Sequence, residues 1–173
     1  FCTWYSEGEW HPVPEDERIL DMRAELIEQL DSLQTFVPED EWILGQRVWY
    51  RAEGGDWAGA RRVAAACGPV ARWWCHALEG FALHGSDDAV AAAESFSRSV
   101  ARMPEEQARR WRLPGWAVES GVRDLLEDAA DDPGAEQRLL DQMWVLADPL
   151  YLVPGNDRRT SHYSRWVVAE LRA

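Results

Sequence analysis

Lysine is absent from this chain of 173 residues: all 18 basic residues are Arg, set against 31 Asp and Glu, and the formal net charge is −13. A pI near 4.7 excludes the counterion-release binding to nucleic acid that a basic face provides. Cysteine is scarce, and 3 residues are too few for a disulfide scaffold. No run of 18 apolar residues escapes interruption by a charge, which excludes a membrane-spanning helix. Neither a Gly-rich phosphate loop nor a Gly-x-Ser-x-Gly elbow occurs, and no Val-, Ile- or Thr-rich alternating run marks a strand. Cys75-His76 lacks the second Cys that c-type haem attachment needs, because position 72 is Arg. His11, His76, His84 and His162 share no zinc-ligand spacing with Cys or acids. Among so many carboxylates no pair stands apart as a catalytic dyad. The sequence therefore assigns no metal, no cofactor and no reaction, and the chain reads as a non-enzyme.

What is present is an apolar fraction of 46% and 11 Trp. That fraction is too high for intrinsic disorder, and the length suits one domain. Trp combines a large apolar face with one N–H donor, so it serves interfaces as well as cores. Charge is uneven: residues 1–41 hold 12 acids and 2 Arg. Residues 1–14 show neither a 3.6 nor a 2.0 period, are punctuated by Gly8, Pro12 and Pro14, and carry Phe1, Trp4, Tyr5 and Trp10. They read as an extended aromatic arm, either folded back on the domain or docked on a partner.

From Pro14 the period is helical. Acids at 15–17 favour the positive end of the helix dipole, and Ile19, Met22, Leu26, Leu30 and Leu33 make one stripe. Pro38 to Glu41 opens a second helix carrying Trp42, Ile43, Val48 and Trp49, ended by Gly54-Gly55. Asp56 caps a short helix over 57–67, and another runs from about 70 to 84. Ser86 caps a helix from Asp87 to about Met103, where Pro104 stops or restarts the chain. Further helices are expected near 116–130, 134–147 and 157–171. Cys67 and Cys75 flank the Gly68-Pro69 turn, where a hairpin would bring them together. They are either a disulfide of an oxidising compartment or two small buried apolar side chains.

Within 73–106, Gly80, Ala92, Phe96 and Pro104 stand at the intervals of the tetratricopeptide repeat, which this window resembles. His76, Glu79 and Ser99 replace the Trp, Leu and Ala typical there. The unit 39–68 resembles the pattern more loosely through Trp42 and the run from Gly55 to Ala60. The resemblance implies an all-α fold, an array of antiparallel α-hairpins over 15–173 preceded by the arm at 1–14.

Residues 143–165 resemble the core of the bacterial GWxTD domain through Trp144, Asp148, Pro149, Pro154, Asn156, Asp157, Tyr163 and Arg165. The Gly-Trp-x-Thr-Asp segment that names that family does not occur in the chain. The likeness implies a bacterial, exported protein and no chemistry, and a first residue of Phe is compatible with a removed leader. By their own chemistry these residues read as structural: Asp148-Pro149 ends a helix, Asn156 or Asp157 caps the next, and Arg158 and Arg159 pair with carboxylates.

Arg98, Arg102, Arg109, Arg110 and Arg112 gather around Trp111, and Arg and Trp dominate interface hot spots. In so acidic a chain this stretch suits an acidic protein partner, or pairing with the chain's own acids. The expected function is a scaffold that acts by contact through Phe1, Trp4, Tyr5, Trp10, Arg109, Arg110, Trp111 and Arg112. Within that class the sequence suggests a periplasmic subunit on the face of a membrane complex, respiratory or photosynthetic, with room for peripheral membrane contact. A soluble peptide-binding adaptor is the alternative, and an enzyme using the 148–165 loop a further one.

Overall fold

The structure, a computed structural model, describes residues 16–68, 70–114, 118–148 and 154–173 in full, and residues 3–6 and 9–12 in their backbone. Among these, nine helices follow one short hairpin: α1 (Glu17–Phe36), α2 (Glu41–Glu53), α3 (Trp57–Ala65), α4 (Arg72–Gly85), α5 (Ala89–Val100), α6 (Glu105–Arg112), α7 (Ser120–Asp128), α8 (Pro133–Ala147) and α9 (Asp157–Arg172). The class is all-α, as the periodicity implies. The arm differs from expectation. Its backbone is extended but paired, with β1 (Thr3–Ser6) antiparallel to β2 (Glu9–Pro12) in the register Thr3↔Pro12 to Ser6↔Glu9. Two residues in sequence separate the strands, a spacing that allows a tight hairpin even without an alternating pattern.

Asp or Asn side chains cap most helices. Asp40 accepts from the Ile43 N–H at 2.8 Å, Asp56 from Gly59 at 2.8 Å, and Asn156 from Arg159 at 2.8 Å. Each such cap is worth about 1 kcal/mol and satisfies a donor that the helix cannot. Asp88, not Ser86, caps α5, because the chain first passes through Asp87 in the left-handed region at φ 61°. Ser86 instead donates its hydroxyl back to the Ala82 carbonyl at 2.8 Å. Asp148 ends α8 as the following Pro requires.

The core sits between α2, α4, α5 and α9. Leu44, Val48, Ala77, Leu78, Ala92, Phe96, Trp111 and Val167 are fully buried there. Gly80 and Phe96 meet as their spacing demands: a Cβ on Gly80 would lie 2.9 Å from the Phe96 ring. Behind it, Phe96 rests on Tyr163 with centroids 5.3 Å apart, so it has no room to recede. Ser99, standing where Ala is usual, donates to the Trp73 carbonyl at 2.7 Å and so is buried without an unmet hydroxyl. Helices α1 to α6 each pack on the next, but α9 returns to lie against α2, α4 and α5. Gln46 of α2 fixes that return by donating to the Leu171 carbonyl at 2.9 Å. Cys67 and Cys75 form a disulfide, Cα atoms 5.7 Å apart, which ties the end of α3 to α4.

Two glycine substitutions should part in sign. Gly80→Ala gains helix propensity of up to about 1 kcal/mol, but overpacking against a trapped ring costs about 1–3 kcal/mol. Gly121→Ala, with nothing within 4 Å of the new Cβ, should be neutral to stabilising. Urea denaturation of the pair checks this. Reduction of the disulfide, whose sequence separation is 8, should lower stability by about 2–3 kcal/mol, read from the same curves with and without reductant.

Candidate docking surface

α1 is the longest helix, and its main neighbour is α2. Leu30 is buried between them, and Asp31 accepts from Arg47 Nε at 2.7 Å and from Arg51 Nη2. Burial alone would raise the Asp31 pKa, but the two guanidinium hydrogen bonds and charges outweigh it and hold the carboxyl below its ordinary value. That pairing and one buried Leu anchor a helix of 20 residues. Leu26 is half-buried, and the other apolar residues of the stripe are exposed. Met22 is 69% exposed and Phe36 78%, with Ile19, Leu20, Leu33 and Val37 also exposed, and Trp42 at the start of α2 is 59% exposed. Ile19, Met22, Leu26 and Tyr50 line an open cleft of about 470 Å³ between α1 and α2, with Arg23, Glu25, Gln29 and Glu53 completing its wall. Exposed apolar surface grouped in this way is a candidate contact site.

The Arg and Trp segment is arranged differently from its sequence expectation. Trp111 is 0% exposed, so it is a core residue and offers nothing to a partner. Its ring stacks on Trp166 at 6.1 Å and 14°, meets Trp73 edge-on at 6.0 Å, and lies 6.5 Å from Tyr163. The physical reason is position: one face of an eight-residue helix rich in Arg must turn inward, and only Ala108 and Trp111 are apolar enough to do so. The three Arg beside it stay on the surface in intramolecular pairs. Arg109 donates to Glu136 at 3.1 Å, Arg110 to Glu170 at 2.6 Å and Arg112 to Glu105 at 2.9 Å. Arg98 reaches Ser95 at 2.8 Å and Glu79 at 3.6 Å. Of the arm, Phe1 lies outside the described residues. Trp4, Tyr5 and Trp10 are placed by backbone alone, with Tyr5 opposite Trp10 in the hairpin register.

The 143–165 block is a structural joint where it is described. Asn156 caps α9 and also donates its amide to the Trp144 carbonyl at 2.7 Å, locking α8 to α9. Arg159 stacks over the Tyr163 ring at 6.0 Å instead of meeting a carboxylate. His162 Nε2 donates to the Trp111 carbonyl at 2.7 Å, since a carbonyl can only accept. Burial pushes the His162 pKa below its ordinary 6.5; that hydrogen bond opposes the shift, while Arg165 and Arg159 reinforce it. His84, whose Nδ1 lies 3.0 Å from the Thr160 hydroxyl, is lowered by burial against the charges of Asp157 and Asp87. His76 is lowered by burial too, beside Glu79 at 3.7 Å. Each of the three histidines thus serves packing. Among the described residues no group of three or more His, Cys, Asp or Glu is placed to hold a metal ion.

The sequence shows the α1 stripe but not its exposure, because a stripe at helical spacing does not say what lies over it. No protein-family model, no curated protein and no solved structure matches this chain.

Folding lowers the pKa of His162, His84 and His76, so below about pH 6.5 the unfolded chain binds more protons and stability falls with pH. The urea midpoint should drop as pH moves from about 7.5 to about 5.5, and His162→Gln should flatten that slope. An unchanged slope in the variant would place the linkage elsewhere.

Proposed function

We propose that this chain is a non-enzymatic, protein-binding helical subunit that docks through the outer face of α1 onto a larger assembly. The observation that carries the reading is the exposed apolar strip on α1, set among acids on a helix that α2 alone mainly supports. Its occupant is a partner segment whose apolar face fills the Ile19–Met22–Leu26–Tyr50 cleft and whose flanks are basic. A second copy of this chain fits poorly, since it would set the acidic half against itself. The adaptor alternative needs a groove on the array, and α9 already lies against α2 and α4, where such a groove would open.

The same reading puts the subunit outside the cytoplasm, on the face of a membrane complex. The Cys67–Cys75 disulfide supports an oxidising compartment, and among the described residues no helix is long and apolar enough to cross a membrane. Attachment would then run through protein contacts.

Met22→Glu with Phe36→Glu places two charges on residues that are mostly exposed, so folding should survive and docking should not. Tagged chains expressed in the source cells, extracted in mild detergent and run on native gels, check this. The unaltered chain should migrate within a large assembly, and the double variant should appear as a free species of 19.8 kDa. Free migration of the unaltered chain, or retention of the variant in the assembly, would overturn the reading.

A further inference from the structure

The first turns of α2 and α4, the middle of α6 and the last turn of α9 enclose a cleft of about 220 Å³. Its walls are Trp42, Trp73, Trp74, Glu41, Glu170 and Leu171, with Gln107 between them. Gly45 lets α2 come close to α9 and α4 beside this cleft, because a Cβ there would clash with Leu171 and lie 3.3 Å from the Trp74 ring. Trp74 is buried and held by its indole N–H, which donates to the Glu41 carbonyl at 3.1 Å. Trp73 lies beside it, ring centroids 5.5 Å apart, and Trp42 stands open to solvent.

Elsewhere the chain covers such aromatic faces with its own Arg. Arg110 lies 5.2 Å over Trp166 while pairing with Glu170, and Arg172 lies 5.3 Å over Trp49. The Trp42 cleft repeats the ingredients of the Arg110 arrangement, indole faces beside a carboxylate: Glu170 in its wall is already paired with Arg110, so Glu41 is the carboxylate without a cation. Among the described residues no Arg stands over Trp42 or Trp73, and the Glu41 carboxylate makes no hydrogen bond or ion pair. No Arg lines this cleft, whereas Arg112 and Arg159, Arg23, Arg109 and Arg123, and Arg158 line the others described. A ring face attracts a cation through its quadrupole, and carboxylates at the edge add charge. The positive ends of α2 and α4 act against this, and Glu41 in the first turn of α2 offsets its own helix.

We propose that this cleft takes an Arg side chain of the docking partner, its guanidinium stacked on Trp42 and Trp73 and paired with Glu41. A planar guanidinium both stacks and forks to a carboxylate, which an ammonium cannot do. The assignment rests on the reading of the chain as a docking subunit and adds to it the side chain recognised.

The test is a titration of the full ¹⁵N-labelled chain, following the indole N–H resonances of Trp42, Trp73 and Trp74. The probes are N-acetyl-arginine amide, N-acetyl-lysine amide and tetramethylammonium chloride at constant ionic strength. The arginine derivative should move the Trp42 and Trp73 resonances and bind about threefold or more tightly than the lysine derivative. Trp42→Ala and Glu41→Gln, both at exposed positions, should each weaken the arginine response about three- to fivefold while the circular dichroism stays unchanged. Unmoved resonances, equal binding by the variants, or a stronger response to tetramethylammonium would overturn the proposal. Met22→Glu with Phe36→Glu leaves this cleft intact, so the arginine response persists in that variant whether or not α1 docks. Failure of the α1 reading and failure of this one therefore register in separate experiments.

Discussion

The architecture depends on one buried ring assembly. Trp111, carried in by the short helix α6, stacks on Trp166 and lies near Tyr163, both on α9, and meets Trp73 on α4. Phe96 on α5 presses on Tyr163 from one side and on Gly80 from the other. A linear series of helices would leave each pair touching only its neighbours. These rings instead draw α9, more than a hundred residues downstream of α2, back across the middle of the chain. Replacing a fully buried Trp with a small side chain typically costs about 3–5 kcal/mol, which would be a large share of the stability of a domain this size. Much of the aromatic surplus is thereby accounted for as core.

Once α9 is in place, the outer surfaces divide by character. Arg109, Arg110 and Arg112 on α6 are paired with Glu136, Glu170 and Glu105. On the α1 side Asp31 is paired with Arg47 and Arg51. Apolar side chains crowd the same side. Acidity and exposed hydrophobicity coincide on α1, and the proposal of a basic amphipathic partner rests on that coincidence.

Most helices were legible in the sequence because capping acids, glycines and prolines punctuate it at the right places; Asp56, Asp148 and Asn156 act as their chemistry implies. The Gly80 and Phe96 contact is one that the resemblance to the tetratricopeptide pattern implies. Other features turn on tertiary facts that spacing does not carry. Ser86 and Asp88 are both good caps, and the left-handed turn at Asp87 decides between them. α6 was not distinguishable from a loop between Pro104 and Leu113, since six of its eight residues are Arg, Glu or Gln. Trp111 looked like an interface residue because its neighbours in sequence are charged, yet its neighbours in space are rings. The α1 stripe is legible as a stripe, but which of its residues are covered is a tertiary fact, and the exposure of Met22 and Phe36 identifies it as surface. The disulfide likewise depends on how closely the turn between α3 and α4 draws the two chains together.

Hydrogen–deuterium exchange of the isolated full chain, resolved by peptide, tests the central claim most directly. If the Trp111 assembly closes α9 onto α2, α4 and α5, amides of α4, α5 and α9 should exchange slowest and open together, while α1 exchanges orders of magnitude faster. Protection of α1 equal to that of α4, or early exchange in α9 while α4 stays closed, would contradict it.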